Sequence, residues 1–174
     1  VGSEMCIRDS FLAEVVKMDR IIIRRAEKKD IPALGRLLFQ VHKVHSDVRP
    51  DLFKAGEKKY TEEDLAEILS DEKRPVFAAE RYGIVEGYAF CIHQQPEGAG
   101  RTGIRTLYID DLCVDQAARG EKIGTRLYEF VLDYARKNGY YNVTLNVWAD
   151  NGAAVRFYEK AGMRVQKIGM EQIL

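Results

Sequence analysis

The chain has 174 residues, 46% hydrophobic and 31% charged, with 27 Lys plus Arg balancing 27 Asp plus Glu. That length suits one domain with a sizeable core, and zero net charge without a basic stripe argues against a nucleic-acid binder. No apolar run approaches the roughly 18 residues of a membrane span, and no basic-then-apolar segment marks a signal peptide. Three scattered cysteines, Cys6, Cys91 and Cys113, form neither a metal spacing nor a disulfide framework, so a reduced, cytoplasmic setting is expected.

The stretch "VGSEMCIRDS" has no helical or strand period and looks like the conceptual translation of a sequencing adapter. Residues 1–17 are expected to be adventitious or a disordered tail, with Met18 as the start and 18–174 as a single domain. "RIIIRRA" (Arg20 to Ala26) reads as a first strand. Asp30 is the expected N-cap of a helix with Pro32 in its first turn. Leu34, Leu37, Leu38, Val41 and Val44 then recur at helical spacing. "HSDVRPDLFKAGEKKY" breaks that period and reads as an ordered loop. Thr61 and Asp64 form a capping pair for a second helix ending near Leu69.

"VFAAE" and "IVEGYAFCIHQ" flank "RYG" and read as a hairpin. "QPEGAGRTG" is a flexible loop and "TLYIDDLCV" a strand. Ile123, Leu127, Val131 and Tyr134 mark an amphipathic helix ending near Asn138-Gly139. "NVTLNVW" alternates as a strand, Asp150 or Asn151 caps a further helix that Gly162 ends, and "MRVQKIGMEQIL" offers one or two closing strands. The order predicts an α+β fold, or α/β with one mixed sheet.

"ARGEKIGTRL" joins a strand to a helix start. Helix-start amides lack intrahelical partners, and the helix dipole adds roughly half a positive charge there. Gly120 and Gly124 allow close approach to the backbone, and Arg119 and Lys122 add charge. An anion such as a pyrophosphate suits Arg119, Gly120, Glu121, Lys122, Ile123, Gly124 and Thr125, although a plain helix-capping turn accounts for the same residues. The spacing matches neither G-x-G-x-x-G nor G-x-x-x-x-G-K-[ST].

The run from Thr106 to Met163 resembles the GNAT superfamily of acyl-coenzyme A-dependent N-acetyltransferases. The family's loop pattern Q/R-x-x-G-x-G/A appears as Arg119 to Gly124, with Lys122 where the pattern has its first glycine. Its N-x-x-A-x-x-F-Y-x-x-x-G-F appears as Asn151, Ala154, Phe157, Tyr158, Gly162 and Met163. The resemblance implies a mostly antiparallel central sheet flanked by helices, with coenzyme A in the splay between the fourth and fifth strands and its pyrophosphate on the loop. It implies that backbone groups at Leu112, Cys113 and Val114 bond the pantetheine amides. Asn151 would lie along the same arm, and Tyr158 would act as general acid on the leaving thiolate. Lys122 puts cofactor affinity in question only if its φ is positive, where a non-glycine residue costs about 1 kcal/mol or more.

Acetyl transfer also requires a neutral amine. At pH 7 deprotonating an alkylamine costs roughly 4–5 kcal/mol, part of which a base supplies. Asp110 and Asp111 are the candidate catalytic carboxylates. As adjacent strand residues they are expected to face opposite ways, with only one in the acceptor cleft. Some aminoglycoside-acetylating members of the family carry an Asp at the place of Asp110, so the resemblance favours Asp110 as the one in the cleft. Cys113 has no adjacent His and reads as packing. His42, His45 and His93 show no metal spacing; His42 and His45 border the expected acceptor loop.

The leading reading is therefore an acetyl-coenzyme A-dependent N-acetyltransferase acting in a ternary complex on a small-molecule or peptide amine. It needs no metal, nucleic acid or membrane, and it leaves room for a homodimer. A catalytically idle acyl-coenzyme A-binding regulatory module is the alternative.

Overall fold

The computed structural model describes residues 21–174; the stretch 1–17 and the start at Met18 lie outside the described residues. The elements are β1 (Ile22–Arg25), α1 (Ile31–Val48), α2 (Glu62–Ser70), β2 (Val76–Arg81), β3 (Ile84–Gln94), β4 (Thr106–Val114), α3 (Ile123–Lys137), β5 (Asn142–Leu145) and α4 (Gly152–Lys160). The strands form one open mixed sheet in the order β1-β2-β3-β4-β5, antiparallel from β1 to β4. This is the expected α+β fold. The chain divides into two units, one up to Thr144 and one from Leu145 to Leu174.

In the first unit the sheet is covered on both sides. β2 is buried along four consecutive residues because its neighbours face opposite layers. Val76 and Ala78 join the cluster of Leu34, Leu37, Leu38, Leu65, Ile68, Tyr88, Phe90 and Cys113, which α1 and α2 build on one face. Phe77 points the other way, its ring 5.0 Å from Phe130 and 4.9 Å from Tyr134 of α3. The β2–β3 hairpin turns on Tyr82 (φ 55°) and Gly83 (φ 76°). Two positive φ values define the primed turn that matches strand twist.

Thr61 and Asp64 form the expected reciprocal cap: Thr61 Oγ1 accepts the Asp64 N–H at 3.1 Å, and Asp64 Oδ2 accepts the Thr61 N–H at 2.9 Å. Asp30 departs from expectation and makes no side-chain cap for α1. Its buried carboxylate accepts two N–H bonds from Arg24, at 2.7 and 2.9 Å, and the Glu27 N–H at 2.8 Å. A paired guanidinium outcompetes a neutral cap. It holds the Asp30 carboxyl below its usual range.

α1 also runs further than expected, through His45 to Val48, because nothing breaks it before Pro50. Proline disfavours helix in the residue before it, and Arg49 leaves the helix at φ −129°, ψ 68°. β5 stops at Leu145, short of Trp148, and residues 163–174 carry no strand where one or two were expected. The apolar pattern supplies a face, but a strand also needs a paired neighbour. Val165, Ile168, Met170 and Ile173 are each at least 75% exposed.

Candidate active site

β4 carries both candidate carboxylates. The β3–β4 register pairs Phe90 with Asp111 and Cys91 with Ile109, so Asp110 is an extra residue in β4, a β-bulge. The bulge overturns the expectation that Asp110 and Asp111 face opposite ways. Asp110 Oδ2 accepts from Tyr60 Oη at 2.7 Å and from Lys59 Nζ at 2.8 Å. Asp111 Oδ2 accepts from Tyr88 Oη at 3.1 Å. The rings of Tyr60 and Tyr88 both pack on Phe90, at 5.7 and 4.9 Å. One aromatic layer therefore serves both carboxylates from the same side of the sheet.

The two acids differ in surroundings. Burial pushes the Asp111 carboxyl up from 3.8 to about 6; Lys59 and the Tyr88 hydroxyl pull it back, and the Asp110 charge adds to the rise. Burial drives the Tyr88 phenol well above its ordinary value, so it stays a donor. For Lys59 burial favours the neutral amine, yet the hydrogen bond and charge of Asp110 win, and its pKa is raised. Asp110 is thus committed to an ion pair, while Asp111 is poised to exchange a proton near neutral pH.

Beyond β4 the chain is held in place before it reaches the loop. The Asp115 N–H bonds Glu86 O at 2.8 Å, and Asp115 Oδ1 accepts the Ala117 N–H at 3.0 Å, capping a 3-10 turn over Gln116–Ala118. Arg36 of α1 pairs with Asp115, and Gln40 bonds both Asp115 and the Gln116 N–H. The loop then turns on Gly120 (φ 89°) and Lys122 (φ 61°). Lys122 is left-handed, the conformation that favours glycine at this place.

Lys122 is the N-cap of α3 and makes no side-chain cap, and no acidic residue stands in the first turn. The first helical bond is Arg126 N–H to Lys122 O at 3.0 Å. The amides of Ile123, Gly124 and Thr125 precede it and have no intrahelical acceptor. A Cβ added at Gly120 would meet nothing within 4 Å, so protein does not fill the loop. These features fit an anion.

Gly87 in β3 explains how α3 reaches the sheet. A Cβ there would stand 3.0 Å from Cys113 O, 3.0 Å from Leu127 Cδ1 and 3.2 Å from Ile123 Cγ2. Sequence reasoning missed Gly87, Lys59, Tyr60 and Tyr88. The alternation Tyr88, Phe90 on one strand face was a usable signal; Lys59 and Tyr60, which precede a helix cap, gave none. Cys113 packs as expected, its Sγ 3.8 Å from Leu37 O, and burial raises its thiol to about 12.

His42 and His45 belong to α1. The His42 Nε2–H bonds Lys54 O at 2.7 Å, and both imidazoles contact Phe53, at 5.9 and 5.3 Å. Burial, then His42 and Lys59, lower the His45 pKa. His93 lies on β3 with its ring 5.6 Å from Tyr140.

In the second unit, Asn151 caps α4: its Oδ1 accepts the Ala154 N–H at 3.1 Å. Tyr158 lies two turns along α4, its ring 5.0 Å from Phe157. Among the described residues no group of three His, Cys, Asp or Glu could hold a metal ion. No described helix is long and apolar enough to cross a membrane.

Residues 41–163 match the model of the acetyltransferase (GNAT) family. The chain is 26% identical over 161 residues to glucosamine 6-phosphate N-acetyltransferase of Arabidopsis thaliana, covering 92% of this chain and 98% of that one. The crystal structure of a tetramutant of BH1408 protein from Bacillus halodurans superimposes with a TM-score of 0.83 at 32% identity, covering 88% of this chain and 99% of that one. A Trypanosoma brucei acetyltransferase shares the fold, with a TM-score of 0.65 at 23% identity, covering 89% of this chain and 100% of that one. The chain belongs to the GNAT acetyltransferase family. It is an acyl-transferring enzyme, and the family uses acetyl-coenzyme A as cosubstrate.

Proposed function

We propose that the protein transfers an acetyl group from acetyl-coenzyme A to a primary amine of a small molecule or peptide, by direct attack in a ternary complex. The observation that carries this reading is the path of β4. Its two carboxylates are followed, within a dozen residues, by an uncapped helix start whose loop leaves room for an anion. The idle-module reading has no observation in its favour.

Arg119 to Thr125 hold the pyrophosphate through the amides of the helix start, with Arg119 and Lys122 adding charge. Backbone groups of Leu112, Cys113 and Val114 bond the pantetheine amides. Asn151 contributes its Nδ2, since its Oδ1 caps α4. When bound, acetyl-coenzyme A supplies the thioester carbonyl that the amine attacks. Asp111 takes a proton from the acceptor ammonium, directly or through water. The Tyr158 hydroxyl gives a proton to the departing sulfur.

A thiol-release screen tests the reading, with polyamines, aminoglycosides, amino acids, peptide N-termini and glucosamine 6-phosphate as acceptors. Release above hydrolysis with at least one amine is expected. Tight coenzyme A binding with no release from any of them would overturn catalysis.

A further inference from the structure

We propose that Lys59, assisted by Tyr60, is a positioning residue that ties down and neutralises Asp110, leaving Asp111 as the carboxylate that takes the acceptor's proton. The inference rests on the acetyl-transfer reading above.

It starts from the bulge. By placing Asp110 and Asp111 on one side of the sheet, the bulge brings two carboxylates together in partly buried surroundings. Like charges so placed hold each other's protons. Left alone, the pair would share a proton, and neither member would have a defined task. Lys59 breaks that symmetry. Its Nζ and the Tyr60 hydroxyl converge on the same oxygen, Asp110 Oδ2, at 2.8 and 2.7 Å. The Asp110 side chain is 16% exposed and that of Lys59 40%, so the pair is shielded from solvent on the carboxylate side. Asp111 is met instead by neutral donors, the Tyr88 hydroxyl at 3.1 Å and the Leu112 backbone.

The other groups around Asp111 do not take over this task. On β3, Tyr88 stays protonated. On β4, Cys113 stays a thiol, with Arg119 and Asp115 acting on it in opposite senses. α1 and α2 present Leu34, Leu37, Leu38, Leu65 and Ile68 to the same cluster. On α1, His45 feels Lys59 and is itself disfavoured as a cation. Arg74 lies over the Tyr60 ring at 5.8 Å.

The step balances. An N–H bond of the acceptor ammonium breaks and an O–H bond forms on Asp111. The nitrogen lone pair so released forms the C–N bond to the acetyl carbonyl carbon. The C–S bond then breaks with its electron pair on sulfur, which takes the proton of the acid proposed above, and the nitrogen gives its second N–H proton to the conjugate base of that acid, leaving a neutral amide and the first proton on Asp111. Asp110 serves as the ion-pair partner of Lys59, at 2.8 Å.

The test is the carboxyl ¹³C titration of the full chain labelled at Asp, with Asp111→Asn to assign the resonance. Lys59→Met keeps the aliphatic stem and removes the charge. The Asp111 midpoint should rise by about 0.5–1 pH unit, and the acid limb of kcat/KM should move with it. Lys59→Arg should restore both. Asp110→Asn, which also serves should Lys59→Met fail to fold, should move the Asp111 midpoint down. A midpoint that stays put in folded Lys59→Met or Asp110→Asn would overturn the inference. Acetyl transfer with unshifted midpoints sinks the clamp alone. Shifted midpoints with no transfer to any amine sink the acetyl-transfer reading and with it the proton-taking role of Asp111.

Discussion

Gly87 of β3 and Leu127 of α3 meet so closely that a single added carbon, a Cβ on Gly87, would stand 3.0 Å from Leu127 Cδ1. The same carbon would stand 3.0 Å from the Cys113 carbonyl oxygen, which has no freedom to retreat. The glycine thereby sets how deep the N-terminal half of α3 seats on the sheet.

Gly87→Ala is therefore expected to destabilise the protein by about 1–3 kcal/mol, the usual cost of overpacking. It should also weaken coenzyme A binding, because Ile123 lies within the proposed phosphate-binding loop and its Cγ2 is 3.2 Å from the same carbon. Urea unfolding and calorimetry with coenzyme A read the two effects. Stability and affinity both equal to wild type would mean that α3 shifts without cost.

Lys122→Gly should act in the opposite direction. Lysine at φ 61° is strained by about 1 kcal/mol, and glycine relieves this while adding freedom to the unfolded chain. A net gain of a few tenths of a kcal/mol up to about 1 kcal/mol is expected, seen as a small rise in Tm. Coenzyme A affinity should change only modestly. A collapse of affinity would make the Lys122 ammonium a required phosphate contact.

Asp111 gives stability a pH dependence of definite sign. Its folded pKa, about 6, lies above the ordinary 3.8, so the folded state binds the extra proton between those values. Its contribution is fully present below about pH 3.8 and is lost as pH rises through about 6. Asp111→Asn should thus gain on wild type between those limits, by on the order of 1 kcal/mol or more at neutral pH. Thermal unfolding of both forms across that range is the measurement; parallel curves would refute the raised pKa. Turnover of the variant should be lost throughout.

Tyr158→Phe keeps the ring and removes the hydroxyl, so α4 should be undisturbed. Turnover is expected to fall by about 10²–10⁴, the usual worth of a general acid, with the coenzyme A dissociation constant unchanged. Turnover and specificity constant should fall together, since the interaction belongs to the transition state. Unchanged turnover would leave Tyr158 a packing residue. Weaker binding at unchanged turnover would make its hydroxyl a contact to the pantetheine arm.

Local rules made much of the fold legible. The Thr61–Asp64 cap, the Tyr82–Gly83 turn and the helix carrying Ile123, Leu127 and Val131 follow from residues near one another in the chain. The length of α1 was missed although Pro50 sets it locally, and the other misses depend on what a segment is paired with. Asp30 does not cap α1 because Arg24, six residues back on β1, takes its carboxylate. The bulge at Asp110 is a property of the pairing with β3, invisible in "YIDDL" alone. Alternation in "MRVQKIGMEQIL" promised strands, yet pairing is a relation between two segments. In the candidate site, the loop was readable from Gly120 and Gly124, and the acids from their adjacency. What Asp110 is bonded to was not, because Lys59 stands 51 residues away.

The burial of two thiols has a practical consequence for measuring this enzyme. Cys91 and Cys113 are both enclosed, and both are held at about 12. Near pH 8 only about one molecule in ten thousand would carry either as the nucleophilic anion. A chromogenic disulfide reagent added during turnover should therefore leave these two side chains untouched. Once Cys6 is replaced by serine, its colour would count sulfur freed from the acyl donor, so progress can be followed continuously without masking Cys91 and Cys113.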